Sequence, residues 1–172
     1  MSQPPPFRAD HVGSLLRPVG LLDLRRRVER GEADREALAE AENSAIAEAV
    51  KLQERVGLKL ATDGEFRRRS YHSYFYRQLG DVMPDAVGGE AGASAAGRGA
   101  QPQAAINSKL KWTRPIHVDD FRRLQSLTRA IPKITIPGPC ALHFRGGDAA
   151  VTASAYDDVD EFWDDTDRKS VV

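Results

Sequence analysis

Cysteine is nearly absent from the 172-residue sequence, since Cys140 is the only one. A single cysteine excludes an internal disulfide and favours a reducing compartment, so we expect the protein in the cytoplasm. An excess of one charge sign is also lacking, because 25 Lys and Arg residues balance 25 Asp and Glu residues. Binders of nucleic acid or of anionic membranes usually present a strongly basic face, and we therefore expect neither partner.

Long apolar runs are missing as well. No stretch approaches the roughly 18–20 apolar residues that a membrane helix needs, and residues 1–6 lack the apolar run of a secretory signal. Hydrophobic residues nevertheless make up 41% of the chain, enough for a core. The length is typical of one domain, so we expect a single domain over residues 1–172, with a flexible Gly/Ala-rich excursion at 86–105.

The first third of the chain predicts a strand and two helices. A short strand at 7–12 leads into Gly13-Ser14, and Pro18 begins a helix that Gly31 ends. The second helix has apolar residues at steps of three or four, and Gly57 ends it. Its predicted apolar face is Leu38, Ala41, Ala45, Ala49, Leu52 and Val56, and its predicted water-facing residues are Glu40, Glu42, Glu48, Lys51 and Glu54.

The remainder predicts two more strands and two more helices. The strands are expected at 58–62 and 133–136, where apolar or β-branched residues are followed by turn residues. One helix is expected to be capped by Asp119, and another to begin at Tyr156. Alternating strands and helices are typical of a parallel α/β sheet, in which functional groups gather at the carboxyl ends of the strands.

Two predicted strand ends carry groups that could bind a charged ligand. The backbone N–H groups of Gly13-Ser14 could bind a carboxylate or phosphate. The two carboxylates of Asp63-Gly64-Glu65 could hold an ammonium group or act as a base. Each segment also has a structural interpretation: a turn capped by Ser14, and a turn in which Asp63 caps while Glu65 pairs with a following arginine.

Three further groups are open to two interpretations. The arginines at 67–69 could bind an acidic substrate or form a solvated basic segment. The aromatic residues between Tyr71 and Tyr76 could line a pocket, although packing is the commoner role. Cys140 and His143 have Cys-x-x-His spacing, but zinc needs three or four ligands, and a lone cysteine is usually a small buried hydrophobe.

Taken together and in order, the strand ends resemble the family of the catalytic domain of cobalamin-independent methionine synthase. The resemblance rests on three segments: RADHVGSLLRP at 8–18, QERVGL at 53–58 leading into TDGEFRR at 62–68, and KITIPGP at 133–139. It is strongest to the shorter bacterial members described as methyltetrahydropteroyltriglutamate–homocysteine methyltransferase-like, and it runs from about residue 7 to residue 163.

The resemblance implies a TIM (β/α)8-type barrel in which a methyl group passes from a folate to the sulfur of homocysteine while zinc holds the thiol. By the same resemblance, backbone groups of the first segment hold the homocysteine carboxylate and a glutamate of the second holds its ammonium group. The implied substrate-binding residues are Val12, Gly13, Ser14 and Glu65, and further candidates for the pocket are His11, Asp63, Arg67 and Tyr71.

The length is too short for the whole barrel that the family uses. A TIM barrel typically needs about 250 residues, whereas the pattern here predicts about three β/α units. The family's zinc ligands lie in the second half of that barrel, so we expect no zinc bound by this chain alone. The expectation is therefore an N-terminal part of the domain, truncated or frame-shifted, whose exposed sheet edge favours self-association.

The expected function is methionine synthase-like methyl transfer from a folate-type donor to homocysteine or a related thiol. This chain would carry the amino-acid-binding half of the site and would transfer little alone, because a thiol of pKa about 8.5 stays mostly protonated at pH 7 without zinc. One alternative is a non-catalytic remnant or half-barrel interaction module. A further alternative is a uroporphyrinogen-decarboxylase-like enzyme that binds substrate carboxylates through the arginines.

Overall fold

The computed structural model describes residues 11–70, 73–76, 78–80, 82–83, 105–106, 108–112, 114–138, 140, 151 and 155–170. The chain divides into two compact units. The first comprises residues up to 67 together with 117–135, and the second comprises 68–116 together with the residues from 136 onward. Most of the strand predicted at 7–12 and residues 86–104 of the predicted excursion lie outside the described residues.

The first unit begins with two helices, α1 (Val19–Glu29) and α2 (Arg35–Arg55). Pro18 stands directly before α1, and Gly31 follows it with a φ of 74°, so both predicted boundaries are confirmed. Gly57 follows α2 with a φ of 81°. The left-handed conformation carries no steric cost for glycine, which explains why these two glycines mark the helix ends so reliably.

The predicted orientation of α2 is wrong at several positions. Leu52 and Val56, placed on the apolar face, are 47% and 63% exposed, whereas Gln53 is buried. Glu42, expected to face water, is buried as well and forms an ion pair of 2.8 Å with Arg25. Polar side chains can be buried when their hydrogen bonds are satisfied, and a pattern that counts only apolar residues cannot detect them.

The sheet of the first unit is parallel, as the alternation predicts. Strands β1 (Leu60–Ala61) and β4 (Ile131–Pro132) pair in parallel, with Leu60 opposite Ile131. Backbone hydrogen bonds from the N–H groups of residues 131 and 133 to the carbonyls of residues 59 and 61 measure 3.1 and 2.8 Å. A parallel bridge joins Ser14 to Gly64 on the same central segment, so three stretches of chain meet around residues 60–64.

The strand predicted at 133–136 is wrong in position. The paired residues are Ile131 and Pro132, and the ladder ends at the N–H group of Lys133. The prediction rested on the β-branched residues at 134–136. These residues lie beyond the ladder, and the hydroxyl of Thr135 donates to the Glu65 carboxylate. Strand β1 confirms the strand expected at 58–62, in a shorter form.

Helix α4 (Val118–Leu127) completes the first unit, and its predicted cap is wrong. The residue before the helix is His117, in the left-handed conformation with a φ of 63°. Asp119 and Asp120 lie inside the first turn, where the positive end of the helix dipole stabilises a carboxylate. The core that α1, α2, β1 and α4 enclose consists of Leu21, Ile46, Ala49, Val50, Ala61, Phe66 and Leu124.

The second unit contains a short helix α3 (Ser73–Tyr76), an antiparallel pair of strands β2 (Val82–Met83) and β3 (Ala105–Ile106), and helix α5 (Val159–Ser170). Helix α5 begins three residues later than predicted, because the Asp158 carboxylate accepts the N–H of Glu161 at 2.7 Å and caps the first turn. The core of this unit consists of Phe75, Leu79, Ile106, Leu110, Ile116, Ala155, Tyr156 and Phe162. None of the described helices is long and apolar enough to cross a membrane.

Candidate functional site

The segment after β1 forms a tight turn at Asp63-Gly64-Glu65. Gly64 and Glu65 both have positive φ, 67° and 58°. A glutamate in this region costs of order 1–3 kcal/mol, and such residues concentrate at functional sites. The Asp63 carboxylate accepts the N–H of Glu65 at 3.0 Å, and Arg17 donates to the Glu65 carbonyl at 3.0 Å. These bonds hold the strained turn in place.

Gly64 is required at its position for two reasons. Its φ disfavours any residue with a side chain, and a Cβ atom there would lie 2.8 Å from the Phe66 ring. The Gly64 N–H also lies 3.2 Å from the hydroxyl of Thr62, and its carbonyl accepts the N–H of Leu15 at 3.1 Å. The turn is therefore tied both to its own strand and to the segment that contains Gly13.

Gly13 approaches the turn closely. A Cβ atom on Gly13 would lie 2.4 Å from the Thr135 methyl carbon and 3.3 Å from Oε1 of Glu65. Gly13 is itself buried, and its carbonyl accepts the hydroxyl of Thr62 at 2.8 Å. The missing side chain thus lets the backbone at Gly13 lie directly against a carboxylate.

The carboxylate of Glu65 is buried, with 5% of the residue exposed. Its Oε1 atom accepts the hydroxyl of Thr135 at 2.6 Å. Sequence reasoning did not single out Thr135. The signal was available, because Thr135 lies inside the third segment of the family resemblance, KITIPGP at 133–139.

Gln53 of helix α2 binds the backbone of Thr62, the residue that directly follows β1. Its amide nitrogen donates to the carbonyls of Ala49 and Thr62 at 3.0 and 2.9 Å, and its Oε1 accepts the N–H of Thr62 at 2.9 Å. Since this pattern fixes the amide orientation, the 2.7 Å contact from Nε2 of His11 to Oε1 must be a donation from the histidine. His11 therefore contacts α2, and its carbonyl accepts the ammonium of Lys133 at 2.7 Å.

Arg67 belongs to an ion-pair network between helices α2 and α4. Its guanidinium lies 3.0 Å from the Asp120 carboxylate and 3.5 Å from that of Glu42, and it also donates to Asn43. Arg25 joins the same network through Glu42. The planar guanidinium suits such multiple pairing, and it fixes the segment that follows the turn.

The other candidate residues have varied positions. Val12 is 82% exposed, and Ser14 is exposed beside buried Gly13. Asp63 is buried in the turn, where its carboxylate receives the Glu65 N–H. Cys140 is exposed, whereas Tyr71 and His143 lie outside the described residues. Phe75 of the aromatic cluster packs in the core of the second unit.

Together these features define a class: a protein with a parallel α/β sheet whose candidate site lies where neighbouring strands end. Ligand sites in such sheets occur at the carboxyl ends of the strands. Here the segment at 13–14 bridges to Gly64, and the turn after β1 carries the buried Glu65 carboxylate, whose Oε1 atom lies 3.3 Å from the position of a Cβ atom on Gly13.

Comparison with known proteins finds relatives of the chain, although no family model matches it. The chain is 37% identical to the Bacillus subtilis protein YxjH over 161 residues, which are 93% of this chain and 42% of that protein. It is 30% identical to the methionine synthase of Thermococcus kodakarensis over 132 residues, 74% of this chain and 37% of the relative. The chain thus spans less than half the length of the curated relatives it matches.

Solved structures agree with the sequence relatives. The putative vitamin-B12-independent methionine synthase from Listeria monocytogenes superposes with a TM-score of 0.74 at 32% identity, over 98% of this chain and 47% of that one. A B12-independent methionine synthase from Shewanella, solved in complex with selenomethionine, shares the fold with a TM-score of 0.57 at 15% identity. The homologues of this chain are members of the cobalamin-independent methionine synthase family, and the predicted resemblance is confirmed.

The structural neighbours are proteins of the TIM-barrel type, and the α/β class predicted from the sequence is confirmed. The family resemblance implies a metal cofactor. Within the part of the chain that the structure describes, no group of three or more His, Cys, Asp or Glu side chains could hold a metal ion. The described residues therefore do not supply a zinc donor set.

Proposed function

We propose that this chain is the N-terminal part of a methionine synthase-like barrel, with about three β/α units, and that it carries the amino-acid-binding half of a methyl-transfer site. One observation supports this proposal above the others. The backbone at Gly13 lies against the buried carboxylate of Glu65, with 3.3 Å between Oε1 and the position of a Cβ atom on Gly13.

This arrangement suits an α-amino acid. Such a ligand carries a carboxylate and an ammonium group on one carbon, so its site needs an anion-binding group and a carboxylate close together. Backbone N–H groups at Gly13-Ser14 would bind the ligand carboxylate, and Glu65 would bind the ammonium group. Val12 would flank the ligand from its exposed position. That one structural neighbour was solved with selenomethionine, an amino acid, is consistent with this assignment.

The proposed substrate is homocysteine or a related thiol, and the proposed methyl donor is of the folate type. The residues of this chain bind and orient the amino-acid end, which fixes where the sulfur lies. In the complete family site, zinc would lower the pKa of the substrate thiol and so favour its thiolate form; we expect this chain alone to bind no zinc and to transfer little. The proposed compartment is the cytoplasm, where the thiol of exposed Cys140 would stay reduced.

Titration calorimetry with L-homocysteine under reducing conditions tests the proposal. The wild-type chain should bind, and Glu65→Gln should weaken binding about tenfold or more, because a hydrogen bond to a charged group is worth about 1.5–3 kcal/mol. Glu48→Gln is the matched control: Glu48 is an exposed glutamate of α2 that pairs with Lys51, and its substitution should leave the affinity unchanged. Equal affinity in wild type and Glu65→Gln would overturn the proposed role of Glu65.

A second candidate function, an interaction module that pairs with another copy of the chain, is favoured by one observation. Ile131, the first residue of β4, is 64% exposed, and among the described residues β4 pairs only with β1. An uncovered strand edge is a template for pairing. Light scattering after size-exclusion chromatography should then show a dimer that Ile131→Lys converts to a monomer. A wild-type monomer would eliminate this candidate. The decarboxylase-like alternative gains no such support, because Arg67 pairs with Glu42 and Asp120.

A further inference from the structure

Thr135 touches both parts of the proposed site. Its hydroxyl donates to Oε1 of Glu65 at 2.6 Å. Its methyl carbon lies 2.4 Å, and its hydroxyl oxygen 2.9 Å, from the position that a Cβ atom on Gly13 would occupy. A single side chain therefore contacts the backbone that would bind the ligand carboxylate and the group that would bind the ligand ammonium.

We propose that Thr135 is a positioning residue, which orients the Glu65 carboxylate toward the amino group of the substrate and sets its distance from the backbone at Gly13. This inference rests on the proposed function and extends it to a residue that does not itself touch the reacting atoms. Thr135 acts through Glu65, so it should determine how strongly the site prefers ligands that carry an amino group.

The anchoring of Thr135 supports this role. Two residues earlier, the N–H of Lys133 donates to the Ala61 carbonyl at 2.8 Å, which ties the backbone to β1. The ammonium of Lys133 also binds the carbonyl of His11 at 2.7 Å. A β-branched side chain such as threonine has few accessible rotamers, so a fixed backbone leaves the hydroxyl in one place.

The chemistry of Glu65 explains why such an anchor matters. A glutamate side chain has three rotatable bonds, and holding it in one conformation has an entropic cost. A hydroxyl bond to one oxygen fixes the carboxylate before the ligand arrives, and pre-organisation of this kind raises affinity. The two oxygens of a carboxylate offer roughly four acceptor positions, so the bond to Thr135 is compatible with bonds to an ammonium group.

The test uses the full 172-residue chain, with Thr135→Val, Thr135→Ser and two ligands. Thr135→Val keeps the shape and removes the hydroxyl, and it should weaken L-homocysteine binding about tenfold. Thr135→Ser keeps the hydroxyl and should bind within about threefold of wild type. The second ligand, 4-mercaptobutyrate, lacks the amino group, so Thr135→Val should change its affinity by no more than about twofold.

Thr128 provides the matched control. Its hydroxyl also donates to a carboxylate, Oε1 of Glu54 at 2.7 Å, in the same unit but outside the proposed site. Thr128→Val should leave homocysteine binding unchanged. If Thr135→Val does not fold, as judged by circular dichroism, Thr135→Ala removes the same hydroxyl without keeping the second branch, and the same loss is expected.

The outcomes separate the two proposals. Wild-type binding that Glu65→Gln weakens and Thr135→Val does not would overturn the positioning role and leave the proposed function standing. An equal loss for both ligands in Thr135→Val would show a merely structural role and would also overturn it. Absence of homocysteine binding in the wild type would overturn the proposed function and the role of Thr135 with it. In the double variant with Glu65→Gln, Thr135→Val should cause no further loss.

Discussion

The two units of the molecule differ in how many polar side chains they bury. Among the described residues, the first unit buries six, namely Glu42, Gln53, Thr62, Asp63, Glu65 and His117, and the second unit buries two, Arg68 and Thr166. The core of the second unit is built mainly from aromatic and aliphatic side chains, with Tyr156 and Phe162 packed edge to face at 5.5 Å. Buried polar groups are costly unless each is paired, and three of those in the first unit, Thr62, Asp63 and Glu65, lie directly after β1 at the proposed site.

The largest expected effect tests the packing role of the second unit. Phe162→Ala empties a fully buried position and should destabilise the protein by about 3–5 kcal/mol in urea denaturation. Trp112→Ala, at an exposed aromatic residue of the same unit, is the control and should cost no more than about 0.5 kcal/mol. Homocysteine affinity of folded Phe162→Ala should match the wild type. A selective loss of affinity would break the contrast between the units.

The next effect tests the polar network of the first unit. Gln53→Leu leaves the backbone N–H and carbonyl of Thr62 without their side-chain partner and should cost about 3 kcal/mol in the same assay. Gln125→Leu, at an exposed position of α4, is the matched control and should be nearly neutral. Equal stability of the two variants would mean that the buried amide is not what holds the strand end.

A smaller stability effect, coupled to binding, is expected at Gly13. Gly13→Ala places a Cβ atom 2.4 Å from the Thr135 methyl carbon and should cost about 1–3 kcal/mol, together with most of the homocysteine affinity. Gly20→Ala is the control, because nothing lies within 4 Å of its added Cβ atom in helix α1. That variant should gain up to about 1 kcal/mol from helix propensity. Unchanged binding in Gly13→Ala would show that the close approach is dispensable.

The smallest expected effect is the pH dependence of stability that buried Tyr156 causes in the second unit. Burial, assisted by the Asp165 carboxylate, raises the pKa of Tyr156 to about 12, although the N–H of Leu110 donates to its oxygen. An unfolded tyrosine has a pKa of about 10. The raised pKa of Tyr156 therefore contributes its full stabilisation of the folded state below about pH 10. This stabilisation declines between about pH 10 and 12, because in that range the unfolded state releases the tyrosine proton while the folded state retains it. Above pH 10 the melting temperature of the wild type should fall with rising pH more steeply than that of Tyr156→Phe. Parallel curves of melting temperature against pH would contradict this role of Tyr156.

The sequence could predict those features that depend on local chemistry. Pro18, Gly31 and Gly57 mark the helix ends because their backbone preferences operate within one turn. The burial of Gln53 and Glu42 could not be predicted, because it depends on partners brought close only by folding. Thr62 is nine residues from Gln53, and Arg25 is 17 residues from Glu42.

Some residues of the candidate site could likewise be recognised from the sequence, and one could not. Gly13 and the turn at Asp63-Gly64-Glu65 were recognisable because glycines beside carboxylates at strand ends are a local pattern. Thr135 was not, since its bond to Glu65 spans 70 residues and its hydroxyl looks like any strand threonine. The strand position at 133–136 failed for a related reason: β-branched residues favour extended backbone, but the pairing partner decides which of them form the ladder.

The most direct test of the central claim is a crystal structure of the chain with bound L-homocysteine. The account predicts the ligand ammonium within hydrogen-bonding distance of the Glu65 carboxylate, and the ligand carboxylate on the backbone N–H groups at Gly13-Ser14. Homocysteine bound elsewhere, or bound there with its two charged groups exchanged, would contradict the assignment of this strand end as the amino-acid-binding half of the site.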